Sequence, residues 1–481
     1  MNQLINKYKN IPAPVKASLW YTICSTIQQG ISFLTVMIFT RMMSTEEYGL
    51  TNIYQTWFNI IIIFATLNLQ YGAFNNAMLK YENDRDRYIS SMQGLTTLLT
   101  LSLFAVYFIF RAPINNMIQM TTPVMLAMCI ELLVTPAFGF WSGKKRFDYE
   151  YKMLVIITII ISIVTPLLGI VMVYNSDEKG AARIYSLVIV KAIVYGILYV
   201  YNGINGKAFF DKEYWKYAIG FNGPLVPYYL SQIVFNQSDR IMIDNMTGRD
   251  DAAIYGVAFS IALVLTFVLN AINNSFVPWK YRKFKEREYE GVGQVSNGIA
   301  LLMAGMLLAL ILCAPEIIRI MGPDEYSAAK WVVPPLAAGV YFLFIAQLFI
   351  NVEFFFEEKT MLVAGSVFSA VLNVVLNAVF IKIYGFVAAG YTSLVCYIMF
   401  AICNYFCIRK TLKKHWPEAK TTQIYDLKTL IVMSVVFLAL MFGCIVLYNT
   451  LVVRYAILVI AIIVAIINRN KIIDLVKKIK G

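Results

Sequence analysis

The sequence predicts an all-α polytopic membrane protein with about fourteen transmembrane helices. Apolar residues make up 59% of the 481 residues and charged residues 14%, whereas a soluble globular chain has roughly 45–50% apolar and about 25% charged residues. Apolar stretches long enough to cross a bilayer, which takes about 20 residues, recur along almost the whole chain. Lysine and arginine are concentrated in every second connection between these stretches, as in multi-pass membrane proteins.

The predicted spans follow one another with short connections that leave no room for a soluble domain. Backbone groups in lipid must form hydrogen bonds within their own segment, so each span is predicted to be a helix. The apolar stretch after the polar, basic N-terminus is too long for a signal peptide, and we expect a first span rather than a cleaved leader. The predicted spans are 17–41, 48–70, 90–110, 114–141, 153–174, 182–204, 215–237, 253–278, 294–315, 331–355, 361–381, 387–408, 428–448 and 451–468.

The distribution of basic residues predicts the orientation. With the N-terminus in the cytoplasm, 30 of the 41 lysine and arginine residues lie on the inner side, 10 lie on the outer side, and Lys191 lies inside a span. This excess predicts a multi-pass protein of the cell membrane with both termini in the cytoplasm. Basic loops that face an anionic leaflet explain the net charge of +13, and we expect no nucleic-acid partner. The basic and aromatic run 281–287 is predicted to anchor helix ends in a short inner turn.

A short internal repeat predicts two lobes. Arg41 ends the first span and is followed by Tyr48-Gly49, while Arg240 ends the seventh span and is followed by Tyr255-Gly256. The two copies lie six spans apart on the same side, which is typical of parallel repeats in transporters. We therefore predict an N-terminal six-helix lobe, a C-terminal six-helix lobe, and two additional helices with a basic cytoplasmic tail, over 1–206, 207–410 and 411–481.

The sequence disfavours enzymatic chemistry and a bound cofactor. All seven cysteines fall inside predicted spans without metal-type spacing, so we expect neither disulfides nor a metal site. A phosphate-binding glycine-lysine loop is absent from the sequence. The only histidine, His415, lies in a predicted inner loop beside Lys413 and Lys414. We expect no catalytic residues.

Two charged residues lie in the middle of predicted spans. Glu131 and Lys191 are surrounded in sequence by apolar residues, and a charge at the bilayer centre normally faces the interior of a helix bundle because lipid excludes it. One interpretation is a structural ion pair between two helices of one lobe. The other places Lys191 in a cavity as a cation for an anionic substrate, with Glu131 as a proton or ion site. The sequence leaves both open.

Further polar residues near the span ends are candidate substrate contacts. Arg41, Lys216 and Arg240 suit either anchoring at the membrane interface or binding of a phosphate. Asn222 and Asn236 belong to an amide-rich group on the first, seventh and eighth spans, which predicts a hydrated interior wall. Amides are suited to hydroxyl-rich sugars, and lysine and arginine are suited to a diphosphate.

Three segments resemble turns of a known family. RMMSTEEYGL (41–50), DRIMID (239–244) with the following TGRDDAAIYGVAFS, and LNVVLNAVFIKIYGFVAAG (372–390) are similar to the turns after helices one and seven and to the eleven–twelve hairpin of bacterial Wzx-like polysaccharide-lipid flippases. These belong to the multidrug/oligosaccharidyl-lipid/polysaccharide exporter superfamily. The order Val387-Ala388-Ala389-Gly390 departs from the usual Gly-Ala order of the family, and Met43 replaces its usual leucine.

The resemblance implies a function and its partners. The cargo would be an undecaprenyl-diphosphate-linked oligosaccharide, moved from the inner to the outer leaflet by alternating access for capsule, O-antigen or another surface polysaccharide. Membrane lipid, H⁺ or Na⁺, and glycan polymerase or assembly proteins would be the partners. A cation-coupled drug or metabolite antiporter of the same fold is an alternative, which a single deep acid, Glu131, disfavours. A membrane glycan polymerase or glycosyltransferase is a further alternative, but a large outer loop and an acid cluster are absent from the sequence.

Overall fold

The computed structural model describes residues 13–70, 73–287, 291–356, 358–418 and 424–469. These residues form α-helices and short 3-10 turns and contain no β-strand, so the predicted all-α fold is confirmed. The chain divides into two compact units, Met1–Ile233 (unit 1) and Val234–Gly481 (unit 2). The division falls within a single helix, Val226–Met246. The predicted boundaries of the two lobes and the appended pair stay predictions.

Unit 1 is organised around a helix that contacts most of its neighbours. This helix, α8, packs against α6, α7, α4 and α2, and α1 packs against α7. Only 17% of the apolar window of α7 is buried, so most of its side chains face outward, as in a lipid-facing helix. The helices are α1 (Ala13–Met42), α2 (Thr45–Thr66), α3 (Ala73–Lys80), α4 (Arg85–Ile109), α5 (Arg111–Ile118), α6 (Thr122–Phe147), α7 (Tyr151–Tyr174), α8 (Lys179–Gly206), α9 (Lys212–Asn222) and α10 (Val226–Met246), which continues into unit 2.

Unit 2 is organised around α14, of whose apolar window 83% is buried. Helix α14 packs against α16, α11 and α12, while α15 packs against α16 and α17 packs against α12. The helices are α11 (Arg249–Lys285), α12 (Val292–Leu312), α13 (Ala314–Met321), α14 (Val333–Phe355), α15 (Lys359–Tyr384), α16 (Val387–His415), α17 (Leu427–Val446) and α18 (Leu451–Ile467).

Within the described ranges, eleven helices are long and apolar enough to cross a membrane, and the chain is an integral membrane protein. The predicted count of fourteen is therefore not confirmed. Helices α2 and α10 are not among the eleven. Both carry side-chain amides in their central turns, such as Asn59 in α2 and Asn236 in α10. The amides of α10 belong to the group that predicts a hydrated wall, whereas those of α2 lie on the second predicted span, outside that group.

Proline and left-handed residues divide two of the predicted spans. The predicted span 114–141 is wrong at its start, because α5 ends at Gln119, which has a left-handed φ of 55°, and α6 begins with Pro123 in its first turn. The span predicted over 215–237 is likewise two helices, α9 and α10, joined by a 3-10 turn over Gly223–Leu225. Proline favours the first turn of a helix because its missing N–H needs no partner there.

The turn between α1 and α2 is a capping box that also holds the start of α8. Ser44 Oγ accepts from the Glu47 N–H at 3.2 Å, and Glu47 Oε2 accepts from the Ser44 N–H at 3.0 Å. Such reciprocal bonds satisfy N–H groups at a helix start that lack an intrahelical partner. Glu47 Oε1 accepts from the Lys179 N–H at 3.0 Å. A Cβ on Gly180 would lie 2.9 Å from the Glu47 carbonyl oxygen, so this close approach requires glycine.

The basic inner end of α11 differs from the prediction. The run 281–287 does not form a short turn, because α11 continues as a helix to Lys285. Lys280, assigned from the sequence to the inner surface, is fully buried. Its ammonium donates to the Leu348 carbonyl oxygen at 3.2 Å and to the Tyr425 hydroxyl at 3.3 Å. This lysine therefore ties α11 to α14 and to the segment before α17 instead of contacting lipid headgroups.

Candidate functional site

The structure brings the two mid-span charges of unit 1 together. Lys191 of α8 donates from its ammonium to Glu131 Oε1 of α6. The Tyr54 hydroxyl of α2 donates to Glu131 Oε2 at 2.7 Å. The Glu131 side chain is 0% exposed and the Lys191 side chain is 20% exposed. Three helices therefore converge on one carboxylate through residues that are 77 and 60 positions away from Glu131 in sequence.

The two charged side chains differ in their exposure and in the hydrogen bonds that they can still form. Both carboxylate oxygens of Glu131 already accept a hydrogen bond, and no surface of this side chain is open. Lys191 uses one of its three N–H donors on Glu131 and lies 5.5 Å from the centre of the Phe58 ring. Lys191 is thus the accessible member, and Glu131 fixes its position. The structure shows the pairing interpretation, while contact of Lys191 with substrate stays a prediction.

The predicted basic contacts at the span ends are separate from this pair. Arg41 is exposed, and its guanidinium donates to the Met37 carbonyl oxygen of its own helix at 3.2 Å. Lys216 is exposed on α9. Arg240, in unit 2, stacks its guanidinium 4.5 Å from the centre of the Phe259 ring and donates to Gln237 at 3.4 Å. None of these contacts tests binding to phosphate.

The two predicted amide contacts have protein partners. Asn222 is buried, and its amide donates to the carbonyl oxygens of Leu67 at 3.1 Å and Asn68 at 2.9 Å. These carbonyls belong to the left-handed end of α2, which an amide can cap. Asn236 accepts from the Tyr397 hydroxyl at 3.0 Å. Sugar contacts by either amide stay predictions.

Unit 2 contains a buried polar cluster that the sequence analysis missed. Asp239 of α10 is 3% exposed. Its carboxylate accepts from the Asn377 amide at 2.6 Å, from the Ser393 hydroxyl at 2.6 Å and from the Tyr255 hydroxyl. The partners come from α15, α16 and α11. All three donors are neutral, and Asp239 has no cationic partner in the part of the chain that the structure describes.

The cluster extends through two further layers of polar contacts. Asn373 accepts from Ser238 at 2.7 Å and from Asn377 at 3.2 Å, and Thr392 donates to Asn377. Asn373 and Asn377 are i, i+4 neighbours on one face of α15 and are both fully buried. A pair of asparagines at helical spacing inside an apolar span was the available signal. The partner of this pair, Asp239, lies 138 positions away from Asn377, so a local pattern does not show the contact.

The histidine and the cysteines are the residues for which the sequence predicts no catalytic or metal-binding role. His415 ends α16 and lies 2.8 Å from Glu358 Oε1. The seven cysteines are free thiols. A search of the described residues finds no cluster of histidine, cysteine and acidic side chains that could hold a metal ion.

The chain matches a known family and known proteins. The family described as "Polysaccharide biosynthesis protein" matches residues 15–282, more than half of the chain. "Lsg locus putative protein 1" of Haemophilus influenzae is 21% identical over 376 residues, covering 75% of this chain and 89% of that protein. "Probable low-salt glycan biosynthesis flippase Agl15" of Haloferax volcanii is 21% identical over 390 residues, covering 78% and 79%.

Two solved structures share the fold. "Lipid II flippase MurJ, inward closed conformation" has a TM-score of 0.72 at 13% identity, covering 94% of this chain and 99% of that chain. An inward-facing multidrug resistance MATE family transporter of the MOP superfamily has a TM-score of 0.63 at 13% identity, covering 82% and 96%. The likeness shows that the chain has the fold of these two transporters, which is the fold that the three turn motifs predict.

Proposed function

Because the chain belongs to the family of polysaccharide biosynthesis proteins, we propose that it is a flippase for a lipid-linked oligosaccharide. The cargo we propose is an undecaprenyl-diphosphate-linked oligosaccharide, moved from the inner to the outer leaflet of the cell membrane by alternating access. The surface polymer is a capsule, an O-antigen or another glycan. The names of two similar proteins, a glycan biosynthesis flippase and a lipid II flippase, support a cargo of this class.

One observation carries the proposal, which is the partly exposed ammonium of Lys191 within an apolar helix. A lysine in lipid costs about 2.5–3.5 kcal/mol on insertion scales, so its side chain needs a polar environment. Glu131 and Tyr54 hold this environment in place. The remaining N–H donors of Lys191 suit a diphosphate, because charge-assisted bonds to phosphate oxygen are strong.

The driving ion in this proposal is H⁺ or Na⁺, and Asp239 is a better candidate than Glu131 to bind a cation such as Na⁺. Glu131 was predicted from the sequence as the coupling residue. Its charge, however, is already countered by Lys191, while Asp239 meets neutral donors alone. A cation bound at Asp239 would offset a buried negative charge, whereas at Glu131 it would compete with an ammonium.

The proposed orientation places both termini in the cytoplasm of a bacterial or similar cell, with the protein in the cytoplasmic membrane. The excess of basic residues on one side of the predicted spans supports it. The activity is transport without a catalytic step. Neighbouring glycan polymerase and assembly proteins would receive the cargo at the outer side.

The decisive experiment measures the leaflet in which the lipid-linked glycan lies, with and without the protein. Cells that lack it should accumulate the lipid-linked oligosaccharide in the inner leaflet, and Lys191→Ala should behave in the same way while the protein remains in the membrane. Lys382→Ala, which removes an exposed lysine from the outer end of α15, is the matched control and should transport normally. An unchanged leaflet distribution in cells without the protein would favour the antiporter of the same fold.

A further inference from the structure

Glu353 is a buried acid of unit 2 that the proposed function does not use. It lies two residues before the end of α14, and the whole residue is 0% exposed. Its neighbours on the same helix, Phe349 and Val352, belong to the main apolar cluster of unit 2. A carboxyl group in such surroundings has lost all contact with water.

The carboxyl oxygens of Glu353 have no hydrogen-bond partner. Neither Oε1 nor Oε2 accepts a bond from any described residue. This separates Glu353 from Glu131, which accepts from an ammonium and a hydroxyl, and from Asp239, which accepts from three neutral donors. Of these three buried acids, Glu353 alone has nothing that stabilises a negative charge.

The charged groups on the neighbouring elements have other partners. Glu358, in the connection after α14, is bonded to Lys414 at 2.6 Å and His415 at 2.8 Å. The hydrogen bond from Lys414, and to a smaller extent the one from His415, lowers the pKa of Glu358. Lys280 of α11 donates to a backbone carbonyl and a tyrosine hydroxyl.

Among the side chains that the structure describes, the remaining elements form no ion pair with the carboxyl group. Helix α16 contributes the thiols of Cys403 and Cys407, and a charge on Glu353 would act on the Cys407 thiol. Lys410 lies one turn further along the same helix. Helix α12 contains no titratable residue, and the lysine at the start of α17, Lys428, is exposed. No ion pair to Glu353 exists among the described residues.

An ionised carboxylate in this position is strongly disfavoured, because burial removes its hydration and no described group replaces that hydration. A protonated carboxyl carries no net charge and avoids most of that cost. We propose that Glu353 is a proton-binding site of unit 2, which holds a proton in this conformation and releases it to water when α14 and α16 separate. Proton binding by Glu353 does not depend on the proposed flippase function. Its consequence, that transport is coupled to H⁺ through Glu353, rests on that function.

The position of Glu353 near the end of α14 indicates the side of the membrane with which its proton would exchange. Glu353 lies next to the 356–359 connection, which the distribution of basic residues assigns to the cytoplasm. In the sequence this connection is net acidic, with Glu357 and Glu358 beside Lys359. A proton released there enters the cytoplasm, and uptake elsewhere in the cycle would make an inward proton flow drive outward movement of the cargo.

The binding of the proton is tested without any cargo. The full chain in lipid nanodiscs is compared by infrared spectroscopy at neutral pH with Glu353→Gln, and with Glu358→Gln as the matched control. The wild type and Glu358→Gln should show the carbonyl stretch of a protonated carboxyl, sensitive to D₂O, which Glu353→Gln lacks. An identical band in Glu353→Gln would overturn the proposal. A cooperative thermal unfolding transition in each of the three proteins would show that all are folded.

The coupling is tested by the leaflet assay under an imposed pH gradient. Wild type and Glu358→Gln should respond by up to about tenfold per pH unit, since proton occupancy changes by that factor, and Glu353→Gln should not respond. A response retained in Glu353→Gln would overturn the coupling. If no variant, including the wild type, moves the glycan, the flippase proposal fails, while the infrared band still decides whether Glu353 binds a proton.

Discussion

The two units bury a carboxylate in opposite ways. In unit 1, Glu131 faces the ammonium of Lys191 and the hydroxyl of Tyr54. In unit 2, Asp239 faces an amide and two hydroxyls. The first carboxylate is paired with a cation, and the second accepts hydrogen bonds from neutral donors alone. The units share a Tyr-Gly turn in their sequence, but the partners of their buried carboxylates differ in charge.

The largest expected effect is at the ion pair. Lys191→Met alone should destabilise the protein by about 3–5 kcal/mol, because it leaves a buried carboxylate without its cation. The double variant Lys191→Met with Glu131→Gln removes both charges and should recover most of that stability. Thermal unfolding in detergent, with the retained fold checked by circular dichroism, measures both.

The same pair of variants separates structure from transport. If Lys191 contacts the cargo, the double variant stays inactive in the leaflet assay although it is stable. Recovery of transport together with stability would reduce the pair to a structural role.

The second effect is at the anionic cluster of unit 2. Asp239→Asn should cost about 2 kcal/mol, since the new amide brings donors to groups that are already donors, and bonds to a charged acceptor are lost. It should also abolish any dependence of transport on Na⁺, while the response to a pH gradient, which we assign to Glu353, should remain. Asp250→Asn, at an exposed position of α11, is the control and should leave both properties unchanged. A variant that keeps its Na⁺ dependence would assign Na⁺ coupling to another residue.

The two tyrosines that donate to these carboxylates give a further comparison. Tyr255→Phe should cost about 1.5–3 kcal/mol, and Tyr54→Phe about 1 kcal/mol, because Glu131 keeps an ammonium whereas Asp239 keeps only neutral donors. Unfolding temperatures of the two variants, measured side by side, check the order. The reverse order would mean that Lys191 stabilises Glu131 less than two neutral groups stabilise Asp239.

The sequence predicted features that depend on local pattern. The length of the apolar stretches predicted most of the helices, and the segment around Ser44 and Glu47 predicted the turn between the first two spans. The mid-span positions of Glu131 and Lys191 predicted an ion pair as one of two interpretations. Features that depend on distant neighbours were out of reach. Asp239 lies in a segment that resembles a turn, and its partners Asn377 and Ser393 lie far along the chain. Lys280 follows a predicted span and is therefore expected at the surface, but Leu348 and Tyr425, from distant parts of the chain, bury it.

The smallest effect is expected at a surface counterpart of the buried pair. Glu358 is bonded to Lys414 and His415, and these partners lower its pKa. A carboxyl whose pKa is lowered on folding stabilises the protein above its unfolded pKa, and this is lost as the pH falls through its folded pKa. Glu358→Gln should therefore lower the unfolding temperature slightly at neutral pH and not at acidic pH.

The pH series for Glu358→Gln and wild type also has a contrary outcome. Curves that stay parallel down to acidic pH would mean that Lys414 and His415 contribute nothing measurable there, as for many exposed ion pairs. The buried pair of unit 1 would then be the only one of the two that affects stability.

Glu47 has a consequence for how relatives of this chain can be sorted. One carboxylate fastens three helix ends, since one oxygen serves Ser44 and the other serves Lys179. The most recognisable stretch of the sequence is therefore a mechanical joint. Genomes searched with it would return chains that share this joint whatever glycan they carry, so a match to this stretch indicates a shared fold and not a shared cargo.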